Sequence, residues 1–204
     1  MASKPYDIVI LPSKELVRQA IELSADLQRF GTHFQLTDIG PFPHISLYMV
    51  QLKESDLTKV QEALASIAAN TPSIALQATR YYQAEGYIDA QYARTEAVAH
   101  LQMAVVEAIN PIRNGLLEED KRHFLAATGK VRENFERYGY PAVGELFRPH
   151  VTFTRFLSGK AIAAESLPES DRFSGVFTRL GLFELGSGGT CVQEVAKFTL
   201  GTGV

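Results

Sequence analysis

The chain has one cysteine, Cys191, among 204 residues. No intramolecular disulfide can form, and the paired-cysteine spacings of metal-binding modules are absent. This favours a reducing compartment, and Cys191 itself reads as a small apolar residue in a strand. Long hydrophobic runs are missing too. The apolar run Ile8 to Leu11 is followed at once by Lys14, Glu15 and Arg18, which is too short for a signal-peptide core or a membrane span. The expectation is a soluble, cytoplasmic protein with no membrane partner. An excess of positive charge is lacking as well: 20 Lys and Arg stand against 23 Asp and Glu, a formal net charge of −3. A protein that tracks long duplex nucleic acid usually carries a strongly basic face. A small anionic substrate, or the end of an oligonucleotide, suits this balance better. No low-complexity segment or linker interrupts the sequence, so residues 1–204 read as one domain.

What is present is an ordinary globular composition, 46% hydrophobic and 21% charged, enough for a sizeable core. "YDIVILP" has the pattern of a buried strand. Ser13 can cap a helix over "KELVRQAIELSADLQRF", whose apolar residues recur at helical spacing. "HISLYMVQL" reads as a strand, followed by a helix that Ser55 can cap. "SIALQATRYY" and "GYIDAQYA" read as paired strands around Glu85 and Gly86. Thr95 can start a third helix, closed by Asn110 and Pro111, and the charged stretch from Arg113 to Gly139 is helical with a break near Gly129. "HVTFTRF" is a strand, and "GVFTRLGLFEL" with "CVQEVAKFTL" makes a hairpin around "GSGGT". No helix pattern opens behind that glycine-rich stretch, so it reads as a turn and not as a phosphate cradle. The mixed order predicts an α+β fold of two lobes packed side by side.

Two short stretches share a form. "FPHISL" (Phe42 to Leu47) and "RPHVTF" (Arg148 to Phe153) both read Pro-His-(β-branched)-(Ser or Thr)-apolar. Residues two apart share a face of a strand. His44 and Ser46 therefore point one way, as do His150 and Thr152, while Ile45, Leu47, Val151 and Phe153 can fill the core. His33, His100 and His123 lack the pattern and read as loop and helix-face residues. Two imidazoles and two hydroxyls around one cleft suit metal-free attack of water on a phosphodiester. One His takes the proton of water, the other protonates the departing sugar oxygen, and Ser46 and Thr152 hold the phosphoryl oxygens. A pair of satisfied core histidines is the structural alternative.

The paired H-x-[ST]-apolar signature resembles the 2H phosphoesterase superfamily, which includes 2′-5′ RNA ligase-like proteins and cyclic nucleotide phosphodiesterases. The resemblance implies a bilobal α+β fold of two pseudo-symmetric antiparallel-sheet lobes, with helices outside and a central cleft. It also implies a metal-independent site without cofactors, acting on 2′,3′-cyclic phosphates or other phosphodiester ends of nucleotides or RNA. His44, Ser46, His150 and Thr152 match its motifs, and Arg155 matches an arginine that follows the second motif in many members. Departing from the compact pattern, the segment 95–144 looks like extra helical material: a lid, a partner surface or packing.

Strict alternation places Tyr48 on the face of His44 and Ser46, where it would contact substrate. The same rule puts Arg155 on the face opposite His150, in conflict with the family match, unless a bulge re-aims it. Arg148 reads as an ordinary surface arginine. A metal site is disfavoured because the sequence shows no Asp or Glu at a matching strand position beside either motif. The alternatives to a hydrolase are a non-catalytic nucleotide- or RNA-end-binding module and a 2′-5′ RNA ligase. The oligomeric state is not readable from the sequence.

Overall fold

The computed structural model describes residues 3–201. β1 (Ser3–Pro12) is buried along its second half. Pro12 ends it, and the Ser13 hydroxyl accepts from the Leu16 amide to start α1 (Lys14–Leu27). Leu16, Ala20, Leu23, Ser24 and Leu27 form the buried stripe of that helix, the spacing an amphipathic helix requires. A long loop leads to β2 (Ile45–Lys53), then to α2 (Leu57–Ala69). Ser55 falls inside a short 3-10 turn, Glu54–Asp56, and α2 begins after Asp56 without a side-chain cap.

The stretch "SIALQATRYY" divides between two sheets. β3 (Ile74–Leu76) pairs with β7 (Gly175–Leu185), whereas β4 (Ala78–Ala84) pairs with β5 (Tyr87–Tyr92). α3 (Glu96–Ile109) is capped by Thr95, whose hydroxyl accepts from the Val98 amide. α4 (Asp120–Ala126) and α5 (Gly129–Tyr138) follow. β6 (His150–Arg155) carries the second motif, and β7 turns into β8 (Cys191–Thr199).

All strand pairs are antiparallel. One sheet runs β2-β1-β7-β3, with β8 also on β7, and the other runs β4-β5-β6. The α+β class and the two antiparallel-sheet lobes are as expected, although one sheet has five strands and the other three.

The helices cross between lobes. α1, which follows β1, packs on β6, and α3, which follows β5, packs on β2. Val98, Leu101, Val105, Val106 and Ile109 of α3 belong to the main core. The first part of the 95–144 segment is therefore core and not a lid. No helix among the described residues is long and apolar enough to cross a membrane.

Each motif strand carries a one-residue bulge directly after its Ser or Thr. Opposite β1, Val9 pairs with Ser46 and Ile8 with Tyr48, so Leu47 has no opposite residue. Opposite β5, Asp89 pairs with Thr152 and Ile88 with Thr154, so Phe153 is the extra one. In each case two consecutive residues turn inward: Leu47 and Tyr48, then Phe153 and Thr154, all fully buried. A buried helix side chain meets each bulge carbonyl. Ser24 Oγ of α1 donates to Phe153 O at 2.7 Å. Gln102 Nε2 of α3 donates to Leu47 O at 3.3 Å.

Candidate active site

A cleft of about 390 Å³ lies where the two motifs meet, lined by His44, Ser46, His150 and Thr152 together with Tyr82, Tyr87, Asp89 and Arg148. The antiparallel pairs β1–β2 and β5–β6 supply its two halves. His44 stands just before β2, and His150 opens β6.

Both imidazoles are held alike. His44 Nδ1 lies 2.7 Å from Phe42 O, and His150 Nδ1 lies 2.7 Å from Arg148 O. A carbonyl oxygen only accepts, so each Nδ1 carries the hydrogen and donates it. That fixes the tautomer and leaves Nε2 to exchange protons. The prolines explain the repeat. Pro43 and Pro149 fix their own φ and hold the preceding residue extended, which suits a carbonyl two residues back that accepts from the ring.

The hydroxyls are oriented by carboxyls that sequence reasoning missed. Ser46 Oγ donates to Asp7 Oδ2 at 2.6 Å. Thr152 Oγ1 donates to Asp89 Oδ1 at 2.7 Å. Both acids are buried and sit on the strand beside the motif, β1 and β5. This corrects the expectation that no carboxylate flanks either motif. The available signal was an acid inside an otherwise apolar strand, in "YDIVIL" and "YIDAQY".

The two halves differ electrostatically. Asp7 is fully buried, its Oδ1 has no hydrogen-bond partner among the described residues, and burial pushes its carboxyl up to about 7. His44 is 12% exposed, and desolvation lowers it to about 4. Their 3.5 Å contact therefore joins two neutral groups between those values, not an ion pair. Cys191 Sγ lies 3.9 Å from the same Asp7 oxygen, and burial pushes the thiol up. In the other half, burial raises Asp89 while His150 and Arg148 draw it down.

Tyr48 does not reach the cleft. It is fully buried, and its hydroxyl donates to Tyr138 O at 2.5 Å. The Leu47 bulge turns it inward and brings Met49 to the cleft in its place. The Phe153 bulge has the reverse effect on Arg155, which leaves the core face. Its guanidinium lies 4.8 Å from the Tyr87 ring, and Nε donates to Glu85 O at 3.2 Å. Arg155 lines an adjoining pocket with His33 and Phe34, and Tyr87 and Gly188 border both spaces. Arg148 lines the cleft itself, over Tyr82 at 5.2 Å, so it is not merely a surface arginine. The "GSGG" stretch is a turn, as expected, and its Gly188 and Gly189 form part of the cleft wall.

A family profile described as "Protein of unknown function (DUF1045)" matches residues 49–179. The chain belongs to that family. No curated protein matches it in sequence. Solved structures match over nearly the whole chain. E. coli LigT in apo form has a TM-score of 0.61 at 13% identity, over 99% of this chain and 100% of that one. A structure described as a phosphoesterase gives 0.63 at 13%, over 98% and 100%. TT0787 of Thermus thermophilus gives 0.58 at 18%, over 98% and 100%. At such identities the likeness is one of fold. It bears out the α+β fold that the paired-motif resemblance implies.

Proposed function

We propose that this DUF1045 protein is a phosphodiesterase that hydrolyses 2′,3′-cyclic phosphates, or related phosphodiester ends of nucleotides or RNA, by two-histidine acid–base catalysis without a metal. The observation that carries this reading is the paired arrangement: two imidazoles with Nδ1 tied to backbone carbonyls line one cleft with two motif hydroxyls. The solved complexes of E. coli LigT with phosphate, 3′-AMP, ATP and NADP+ support a small nucleotide ligand.

His44, kept neutral by burial, is the proposed base that takes a proton from the attacking water. His150, beside Asp89 and Arg148, is the proposed acid that protonates the leaving sugar oxygen. Arg148 anchors the phosphoryl group electrostatically. Arg155 borders the adjoining pocket, where it would meet the remainder of a longer substrate. Ser46 and Thr152 already give their hydrogens to Asp7 and Asp89. Each can donate to a phosphoryl oxygen when its carboxyl is protonated and hands a hydrogen to the hydroxyl in turn.

The test is turnover of 2′,3′-cyclic nucleotides in excess chelator. His44→Ala and His150→Ala should each lose roughly two to four orders of magnitude in rate. Nucleotide binding without turnover would move the reading to a non-catalytic module. Turnover only with added metal would overturn the mechanism.

A further inference from the structure

Behind His44 lies a cluster that the proposed hydrolysis does not use as a unit. Asp7 on β1, His44 before β2 and Cys191 at the head of β8 each offer one ligand atom, and these atoms lie within 4.8 Å of one another. The contacts to Asp7 Oδ2 are 3.5 Å from His44 Nε2 and 3.9 Å from Cys191 Sγ. Around a tetrahedral zinc, whose bonds are about 2.0–2.3 Å, ligand atoms stand about 3.3–3.8 Å apart. The two contacts to Asp7 are close to that spacing, and His44 and Cys191, within 4.8 Å of each other, need approach by no more than about 1 Å to reach it. Asp7 and Cys191 are both 0% exposed, and the second Asp7 oxygen has no partner among the described residues.

We propose that Asp7, His44 and Cys191 form a binding site for a borderline divalent transition-metal ion, Zn²⁺ foremost, whose occupancy captures His44 Nε2 and blocks the cleft. The donor set is one nitrogen, one carboxylate oxygen and one thiolate sulfur, a combination that suits zinc and excludes magnesium or calcium. His44 and Ser46 line the cleft, so the fourth position opens there and takes water.

The charge balance supports the site. Burial favours the uncharged carboxyl, thiol and imidazole. A divalent ion replaces two protons, one from Asp7 and one from Cys191, and the complex of M²⁺, carboxylate, thiolate and neutral imidazole carries no net charge. The low polarity that penalises each anion alone does not penalise the neutral assembly. The other titratable groups coupled to the cluster are Tyr140, which feels the charge of Asp7, and His150, whose charge is felt at His44. Binding should strengthen as pH rises.

The inhibitory part rests on His44 being catalytic; the site itself does not. The experiment titrates chelator-stripped protein with Co²⁺ at pH 6 in weak buffer. It reads the thiolate-to-cobalt charge-transfer band and the protons released, without substrate. The expected result is a band that saturates at one ion per chain with about two protons released, is abolished by added Zn²⁺ and is absent in Cys191→Ser. Serine keeps a donor toward Asp7 and removes only the thiolate, so this variant should hydrolyse at the wild-type rate. Zn²⁺ should slow the wild type at least tenfold and spare Cys191→Ser. No band in the wild type, or the same band in Cys191→Ser, would overturn the site. A band without loss of hydrolysis would remove His44 from the ligand set and overturn the capture. If cyclic phosphates are not hydrolysed at all, the proposed function fails while the band still decides the metal site.

Discussion

At the scale of single residues, the candidate site consists of two nearly identical quartets: proline, histidine, hydroxyl and a carboxyl from the neighbouring strand. The first three were legible in the sequence because they are local. A proline fixes the turn and a period of two puts His and Ser or Thr on one face. Asp7 and Asp89 were not legible, because which residue stands across the ladder depends on pairing between distant strands.

Asp7 also sets a pH dependence. Its folded pKa, about 7, is above that of an unfolded aspartate, so the folded state holds the proton more tightly and loses stability as pH rises from about 4 to 7. His44 works in the opposite sense. Lowered to about 4, it adds stability as pH rises from about 4 to 6.5. Across that shared window the two contributions offset. Asp7→Asn keeps an acceptor for Ser46 and removes the anion. It should stabilise the protein by roughly 2–4 kcal/mol at pH 8 and change little at pH 4. Denaturant titrations at both values check this, and equal effects at the two would refute the assignment.

At the scale of elements, the two bulges decide which side chains see the cleft. Alternation alone sent Tyr48 into it and Arg155 away. One extra residue after each motif hydroxyl reverses the phase, buries Tyr48 and frees Arg155 from the core face. No local signal marks either bulge, since a bulge is a mismatch between two strands and not a property of one. Their support is similar in both halves: Ser24 of α1 and Gln102 of α3 each donate to the carbonyl of the extra residue. Gln102 also donates to Ala142 O and accepts from the Gly144 amide. Gln102→Leu keeps the bulk but orphans these buried groups. It should destabilise by about 1–3 kcal/mol, read as a lower denaturation midpoint with an unchanged slope. A neutral result would show that the bulge stands without the helix.

At the scale of the whole molecule, the strand and helix order was readable from periodicity. The division of "SIALQATRYY" between sheets was not, because the break at Gln77 has no turn residue. The crossing of α1 and α3 between lobes was equally invisible, since it is a long-range packing choice. Net charge is −3, and among the described residues Arg148 is the one permanently charged cation lining the cleft. A small cyclic phosphate carries no condensed counterion layer, so its binding should weaken only modestly with salt, through ordinary screening of that one guanidinium. A basic tract contacting several phosphates of a duplex would give a log–log slope of about −0.9 per contact. A slope of several units with a nucleotide ligand would point to phosphate contacts outside this cleft.

The likeness of the two halves has a consequence for regiochemistry. A phosphodiester is two-fold symmetric about phosphorus except for what its ester oxygens are joined to, and each half of the cleft repeats the same bulged strand pair and the same histidine tether. Such a scaffold has no preferred direction of cleavage of its own. On the proposed mechanism, the direction comes from the surroundings of the two imidazoles: a fully buried acid behind His44, a guanidinium and a second acid beside His150. Which bond breaks is then written in a few side chains that can be exchanged between lobes, on a frame that would serve either choice.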